Sequence, residues 1–145
     1  MKLKSFAMAA ALSLAPFAAL ADIIEVKMLN RGEAGAMVFE PRFVSANVGD
    51  TVKFIAVDKG HNAETMNGMV PEGQEPFKGK INEEIAVEMT AEGTIGVICK
   101  PHLGMGMVMV IQVGDAEIAE DFLDVKMPKR AEAKFEEAIA ERPQS

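Results

Sequence analysis

The chain has 145 residues and a formal net charge of −7, from 22 acidic and 15 basic residues. Its length favours a single domain and is sufficient to bury a core. The acidic balance argues against nucleic acid as the main partner, because nucleic-acid-binding surfaces need clustered positive charge. Eight Phe supply all the large aromatic side chains, since the chain has no Trp and no Tyr.

The first 21 residues have the layout of a secretory signal peptide. Two lysines give a basic start, an apolar run interrupted by Pro16 follows, and Ala19-Leu20-Ala21 offers the small residues that a signal peptidase needs. The run is too short for a membrane anchor, which takes about 20 unbroken apolar residues. We therefore predict cleavage after residue 21, export to the periplasm without membrane insertion, and a single mature domain over 22–145. Losing two lysines and no acids would take the formal charge from −7 to −9.

Six short segments of the mature chain have the alternation or apolar run that is typical of β-strands. They are IIEVKML (23–29), FVSANV (43–48), TVKFIAV (51–57), IAVEMT (85–90), TIGVIC (94–99) and MVMVIQV (107–113). Turn residues separate them, and none is followed by a helix-length crossover. The pattern predicts an all-β fold, an antiparallel sandwich or barrel.

One connection is much longer than the others. From Asp58 to about Glu84 the chain is rich in Gly, Pro, Glu and Lys and contains no confident strand. Connections of this length within a compact domain are usually functional. The segment opens with DKGHN, so His61 lies at its beginning.

The C-terminal region has helical spacing. We predict helices over about 116–126 and 128–141, which would cover the sandwich. Asp115 is the expected N-cap of the first helix, and Pro128 suits the first turn of the second. Their apolar faces would be Ile118, Phe122 and Val125 in the first helix, and Ala131, Phe135 and Ile139 in the second.

The stretch CKPHLGMGM (99–107) contains the only cysteine of the chain. In an oxidising compartment a thiol without an intramolecular partner must be buried and inert, bonded to another chain, catalytic, or bound to a metal. His102 follows three residues later, and Met105 and Met107 come next. The chain has one other histidine, His61, which also follows a strand. Both strand ends could therefore open at the same pole of a sandwich.

This set of side chains favours copper. Two His and one Cys in a trigonal arrangement, with a weak axial Met, form the blue-copper electron-transfer site. Such a site has no open position for a substrate, so we predict an electron carrier and not an enzyme. Spacing alone leaves the axial ligand open between Met105 and Met107. Structural zinc normally takes four Cys or His ligands, and only three exist here.

Three other interpretations remain open from the residues alone. Cys99 could be a small buried hydrophobe, with the two histidines in ordinary loop positions. It could be the nucleophile of a hydrolase with a histidine base, although Asn62 is the only candidate for an orienting residue. Finally, the site could bind copper for storage or delivery instead of electron transfer.

Three segments of the sequence resemble the pseudoazurins, a family of periplasmic cupredoxins. They are MLNRGEAGAMVFEP (28–41), VGDTVKFIAVDKGHN (48–62) and GVICKPHLGMGMVMVIQVGD (96–115). The resemblance extends over nearly all of the mature chain. It implies a cupredoxin Greek-key β-sandwich of about eight strands with two C-terminal α-helices, and one type 1 copper ion bound by His61, Cys99, His102 and Met107.

The resemblance also implies how the site is tuned and used. The backbone N–H of Asn62 would point at the Cys99 sulfur, and Met37 would pack near the exposed imidazole. Electrons would pass to nitrite reductase or another denitrification enzyme, or be exchanged with c-type cytochromes, from a protein that is a monomer. From the residues themselves we predict a docking surface, a small apolar patch around His102 made by Gly60, Pro101, Leu103, Gly104 and Met105. Positive charge could surround it, from Arg31, Lys59, Lys78, Lys80 and Lys100, although charges of this kind also form an ordinary solvated face. Lys100, Leu103 and Ile98 depart from the residues common in the family, which bears on docking and not on the ligands.

Overall fold

A computed structural model of the chain describes residues 19–144, and these residues form a β-sandwich of two four-stranded sheets. The predicted signal peptide lies outside the described residues, apart from Ala19 to Ala21, which are exposed. None of the helices within 19–144 is long and apolar enough to cross a bilayer. The strands are β1 (Ile23–Gly32), β2 (Gly35–Glu40), β3 (Phe43–Ala46), β4 (Thr51–Ile55), β5 (Glu64–Thr65), β6 (Ile85–Glu88), β7 (Gly93–Ile98) and β8 (Val108–Val113).

The strand order is β2-β1-β4-β6 in one sheet and β3-β8-β7-β5 in the other. The sandwich is therefore confirmed, but the sheets are mixed and not antiparallel. β1 runs parallel to β4, with Ile23 opposite Thr51, and β3 runs parallel to β8, with Phe43 opposite Val110. The alternation of side chains could not predict this, because it fixes which face a residue occupies and not which strand lies beside it. Two strands, β2 and β5, were not among the six segments predicted from the pattern.

The apolar run of β8 is explained by burial on both faces. Met109, Ile111 and Val113 face the core between the sheets, together with Phe39 and Phe54 from the opposite sheet. Val108 and Val110 face outward into a second apolar cluster beneath the C-terminal helix. The run MVMVIQV thus belongs to a central strand that carries both cores.

The C-terminal region forms one of the two predicted helices. The helix α1 spans Lys129–Ala140, follows Pro128 as its N-cap, and buries Ala131, Phe135 and Ala138 against the sheet. Ile139, which was predicted on the same face, is half-buried beside them. This helix and its apolar face are confirmed, and the helix covers the outer side of β8.

The first predicted helix is wrong. Residues 116–126 form turns, closed by the hydrogen bonds Phe122 N to Ala119 O and Asp124 N to Asp121 O, so Asp115 caps no helix. The segment has four acids and one lysine, and its acids would repel one another at three- and four-residue spacings in a helix. Its apolar residues Ile118, Phe122 and Val125 are nevertheless half-buried against the second apolar cluster, where Phe122 packs edge-to-face on Phe135 with ring centroids 6.5 Å apart.

Candidate metal centre

Hydrogen bonds to the backbone hold His61 in place at the end of the sandwich. It follows β4 and is fully buried. Gly60 N donates to Asn82 Oδ1 at 2.7 Å, and Asn82 N donates to His61 O at 2.8 Å. Asn82 makes this paired contact from a left-handed backbone conformation, with φ of 66°. The far end of the long connection thus returns to fix the position of His61.

Cys99 and His102 are fixed by a compact loop between β7 and β8. A 3₁₀ helix spans Lys100–Met105, and His102 N donates to Cys99 O at 3.1 Å. Cys99 N donates to Met107 O at 3.0 Å, and Met107 N donates to His102 O at 3.2 Å. These bonds close the loop on itself and bring the sulfur and the imidazole to one side.

Gly106 is required for this closure. Its φ is 81°, in the left-handed region that favours glycine. A Cβ at this position would approach the Lys134 side chain to 2.5 Å and the Arg130 carbonyl oxygen to 3.0 Å. The second glycine of the GMGM sequence therefore permits both the turn and the close approach of α1.

Three ligand atoms converge at this pole. The Nδ1 atoms of His61 and His102 are 3.2 Å apart, and the Cys99 Sγ lies 3.7 Å from the first and 3.4 Å from the second. These separations let one ion contact all three atoms at the usual bond lengths, about 2.0 Å to an imidazole nitrogen and about 2.3 Å to a thiolate sulfur. In the described part of the chain, this is the one group of three or more His, Cys, Asp or Glu side chains arranged to hold a metal ion.

The protonation pattern of His61 suits a metal ligand. Its Nε2 lies 2.8 Å from Asn30 Oδ1, which can only accept a hydrogen bond. The proton therefore belongs on Nε2, and the Nδ1 lone pair points into the triangle. Burial lowers the pKa of His61, and the neighbouring His102 adds to this effect, so the ring stays neutral and able to bind a metal.

The Cys99 thiol is buried, and its surroundings act on its pKa in opposite directions. Burial raises the pKa of Cys99, while hydrogen bonds from the backbone of Asn62 and His102 oppose that rise. The contact from Asn62 agrees with the predicted direction of its backbone N–H. Because a metal ion takes the thiolate form, binding to this site must release the thiol proton.

The two candidate axial methionines differ in their surroundings. Met107 is fully buried in the same core cluster as Cys99, whereas Met105 is 44% exposed. Met37 is half-buried and lines the same small cavity as Met105. The burial of Met107 favours it over Met105 as the thioether nearest the metal.

The predicted docking surface has the expected exposure. His102 and Leu103 are half-buried, while Pro101, Gly104 and Met105 are exposed. The five cationic residues predicted around them are all exposed: Arg31, Lys59, Lys78, Lys80 and Lys100.

Sequence reasoning missed several polar residues that hold the ligands in place. Asn30 orients the His61 ring, Asn82 holds its backbone, and Glu64 contacts Asn62. Asn30 lies in β1, one residue beyond the segment 23–29 that was predicted as a strand, and it is far from the ligand loops in sequence. Nothing in local spacing marks it, because its partner lies 31 residues away.

The similarity of this chain to known proteins agrees with that geometry. Residues 26–114 match the family model for copper-binding proteins of the plastocyanin/azurin family. A pseudoazurin from Paracoccus pantotrophus is 50% identical over 118 residues, which cover 81% of each chain. The chain belongs to the copper-binding plastocyanin/azurin family, and to the pseudoazurins within it.

Solved pseudoazurin structures have the same fold. That from Methylobacterium extorquens AM1 has a TM-score of 0.78 and 39% identity, over 84% of this chain and 100% of the other. That from Hyphomicrobium denitrificans has a TM-score of 0.74 and 39% identity, over 84% and 99%. Copper is therefore the cofactor of this chain, and the family consists of electron carriers and not of enzymes.

Proposed function

We propose that the mature chain is a soluble, monomeric, periplasmic blue copper protein that exchanges single electrons with other redox proteins. Its ligands would be His61, Cys99, His102 and Met107. The observation that carries the proposal is the convergence of two Nδ1 atoms and one Sγ within 3.2 to 3.7 Å of one another. Copper supplies the one-electron couple Cu(II)/Cu(I) when it is bound.

The residues of the site are arranged so that little has to move when the charge changes. The His61 ring donates to Asn30, the backbone of Asn82 donates to His61 O, and the backbone bonds between Cys99, His102 and Met107 hold the other loop. The Cys99 thiolate, the two imidazoles and the Met107 thioether would hold the metal, so the protein would supply every ligand and leave no position for a substrate. A cage that keeps its shape in both oxidation states favours rapid electron exchange over bond chemistry.

The partner is the finer part of the proposal. The exposed edge around His102 would dock against nitrite reductase or another denitrification enzyme, or against a c-type cytochrome. The five exposed cationic residues would steer acidic partners in spite of the acidic charge of the whole chain. Small apolar contact at the centre, with charge around it, suits a complex that forms and separates quickly.

A visible spectrum tests the function. Cu(II) added to the purified mature chain should give an intense thiolate-to-copper band that a reductant removes and an oxidant restores. The Cys99→Ser variant is the control and should stay colourless, because it lacks the thiolate. Rapid loss of copper to a weak chelator would favour delivery instead, and a colourless protein alkylated at Cys99 by substrate analogues would favour the hydrolase.

Salt dependence tests the docking. The rate of electron transfer to an acidic acceptor should fall as ionic strength rises. Lys100→Gln should lower the rate several-fold at low salt, whereas Lys53→Gln, a change on β4 in the sandwich, should not. A rate that does not depend on salt would exclude steering by these cations.

A further inference from the structure

Glu64 is a buried acid beside the metal centre that the ligand set does not use. It is 8% exposed and lies in β5, opposite Ile98, the residue before Cys99. Lys78 lies opposite its backbone on the other side. Within residues 19–144, none of the ion pairs closer than 4.0 Å includes Glu64. A carboxylate is rarely buried without a cationic partner, so its position calls for a local reason.

The carboxylate contacts the side chain of Asn62. Asn62 Nδ2 donates to Glu64 Oε2 at 2.9 Å and to Gly79 O at 3.0 Å. On its other side, Asn62 Oδ1 accepts from Lys100 N at 2.8 Å. Every hydrogen-bonding atom of this buried carboxamide therefore has a partner.

This arrangement defines which way the carboxamide faces. A carboxylate only accepts hydrogen bonds, so the NH₂ end of Asn62 must face Glu64. The oxygen end is then left for Lys100 N, which directly follows Cys99. Hydrogen bonds to a charged acceptor are roughly twice as strong as neutral ones, so Glu64 contributes more to this orientation than the carbonyl of Gly79.

We propose that Glu64 is a positioning residue of the copper centre, which orients the Asn62 carboxamide and through it joins the His61 segment to the Cys99 loop. The inference rests on the proposed function, because Glu64 can position a copper centre only if the site binds copper. Its structural part concerns the chain alone. Asn62 is adjacent to one ligand and Lys100 is adjacent to another, so the orientation of a single amide couples the two loops.

The negative charge of Glu64 has a second consequence. Glu64 lies opposite Ile98, the residue before Cys99, so its carboxylate is close to the centre. A negative charge near the metal stabilises the more positive oxidised state. It therefore lowers the reduction potential, and a variant that keeps the hydrogen bond but lacks the charge should have a higher potential.

Three substitutions separate these effects in the apo and copper-loaded proteins. Glu64→Leu removes the acceptor and the charge, Glu64→Gln keeps an acceptor oxygen, and Glu64→Asp keeps the charge but withdraws it by one methylene. Hydrogen exchange of the Lys100 amide in the apo protein should be about tenfold faster in the Leu and Asp variants, because a net hydrogen bond to an oriented amide contributes of that order. The Gln variant should exchange at a rate between those of the wild type and the Leu variant, because its neutral oxygen keeps the hydrogen bond but accepts it less strongly.

The copper-loaded proteins give the second measurement. The visible and EPR spectra should change in the Leu variant and be restored in the Gln variant. In the Gln variant the reduction potential should rise. The expected rise is up to about 59 mV, which corresponds to a tenfold change in the ratio of reduced to oxidised protein for one electron. Thr65→Val is the matched control, since it removes a hydrogen bond of the same strand, Thr65 Oγ1 to Phe77 O, without contacting Asn62.

The outcomes are distinct. If the Leu and Asp variants keep the wild-type exchange rate of the Lys100 amide, or if Thr65→Val accelerates it equally, Glu64 does not position Asn62. If the Leu variant does not fold, the polar Asp variant carries the same test. A wild-type protein without the blue band would contradict the proposed function, but the exchange rates in the apo protein would still decide the role of Glu64.

Discussion

The two histidines of the metal centre supply the same atom to it from very different surroundings. His61 is fully buried, its Nε2 is bound by Asn30, and its backbone is held by Asn82. His102 is half-buried in a short 3₁₀ helix between exposed neighbours. From this difference we expect the inner ring to fix the geometry of the centre and the outer ring, as proposed above, to face the partner.

Removing each ring in turn should give the largest contrast. His102→Gly leaves a gap near the surface, so added imidazole should enter it and restore the thiolate-to-copper band. His61→Gly leaves a gap that is closed by protein, and the band should not return at the same imidazole concentration. The measurement is the visible spectrum of the copper-loaded variants during an imidazole titration.

Two controls accompany this comparison. The wild-type spectrum should not change with imidazole, and Cys99→Ser should stay colourless at every concentration. Equal recovery in the two glycine variants would mean that both rings are equally accessible, and the proposed division between inner and outer ligand would be wrong.

Loss of Asn30, which orients the buried His61 ring, should have the next largest effect on copper binding. Asn30→Leu removes the acceptor of the His61 Nε2 proton and frees the ring to rotate or change tautomer. We expect the affinity for copper to fall roughly 10- to 100-fold, as is usual when a residue that orients a ligand is lost. Asn67→Leu, at an exposed asparagine, is the control and should leave the affinity unchanged. A competition titration with a chelator measures both, and equal affinities would exclude a role for Asn30.

The axial methionine offers a finer comparison within the outer loop. Met107→Leu should raise the reduction potential, by an amount of order 59 mV or a tenfold shift in redox ratio, because it removes a weak donor to Cu(II). Met105→Leu should have a much smaller effect, since that side chain is largely exposed. Voltammetry and the visible spectrum compare the two, and a larger change in the Met105 variant would reverse the assignment.

The sequence predicted the metal centre better than the polar contacts around it. Cys99 and His102 lie in one short stretch, and His61 is the only other histidine, so these three candidate ligands could be named from scarcity and spacing. The choice of Met107 over Met105 came from the family resemblance and not from spacing. Their convergence on one point is a property of the fold that the structure supplies. Asn30 and Glu64 could not be found in this way, because polar residues of these types are common and their roles depend on contacts between distant segments.

The fold was predicted to a similar extent. Strands with strong alternation or long apolar runs were found, whereas β5 has two residues and gives no periodic signal. Segment 116–126 had the apolar spacing of a helix, but its side chains pack equally well from turns. Apolar spacing indicates which residues pack inward, and it does not by itself determine the backbone that carries them.

The edge of the sheet where the mature N-terminus meets Asp50, at the opposite end of β4 from His61, provides a last prediction. Asp50 is 4% exposed, and its carboxylate accepts from Asp22 N at 2.9 Å and from Asn47 N at 2.7 Å. Both hydrogen bonds lower the pKa of Asp50 from its ordinary value of 3.8, and the bond from Asn47 has the larger effect. If cleavage occurs after Ala21, Asp22 N becomes an α-ammonium group, and the neutral hydrogen bond becomes an ion pair.

A chain that begins at Asp22 should therefore be more stable to urea than the same chain with Ala21 still attached, and Asp50→Asn should remove the difference. The sign of the pH dependence follows from the lowered pKa. The contribution of Asp50 is present above pH 3.8 and is lost as the pH falls through its folded-state value, while the α-ammonium loses its proton near pH 8. The difference in unfolding free energy should thus be largest between these limits. Equal stability of the two chains near pH 6 would show that Asp50 does not form an ion pair with the cleaved terminus. The stability of this edge would then not depend on the charge of the Asp22 amino group.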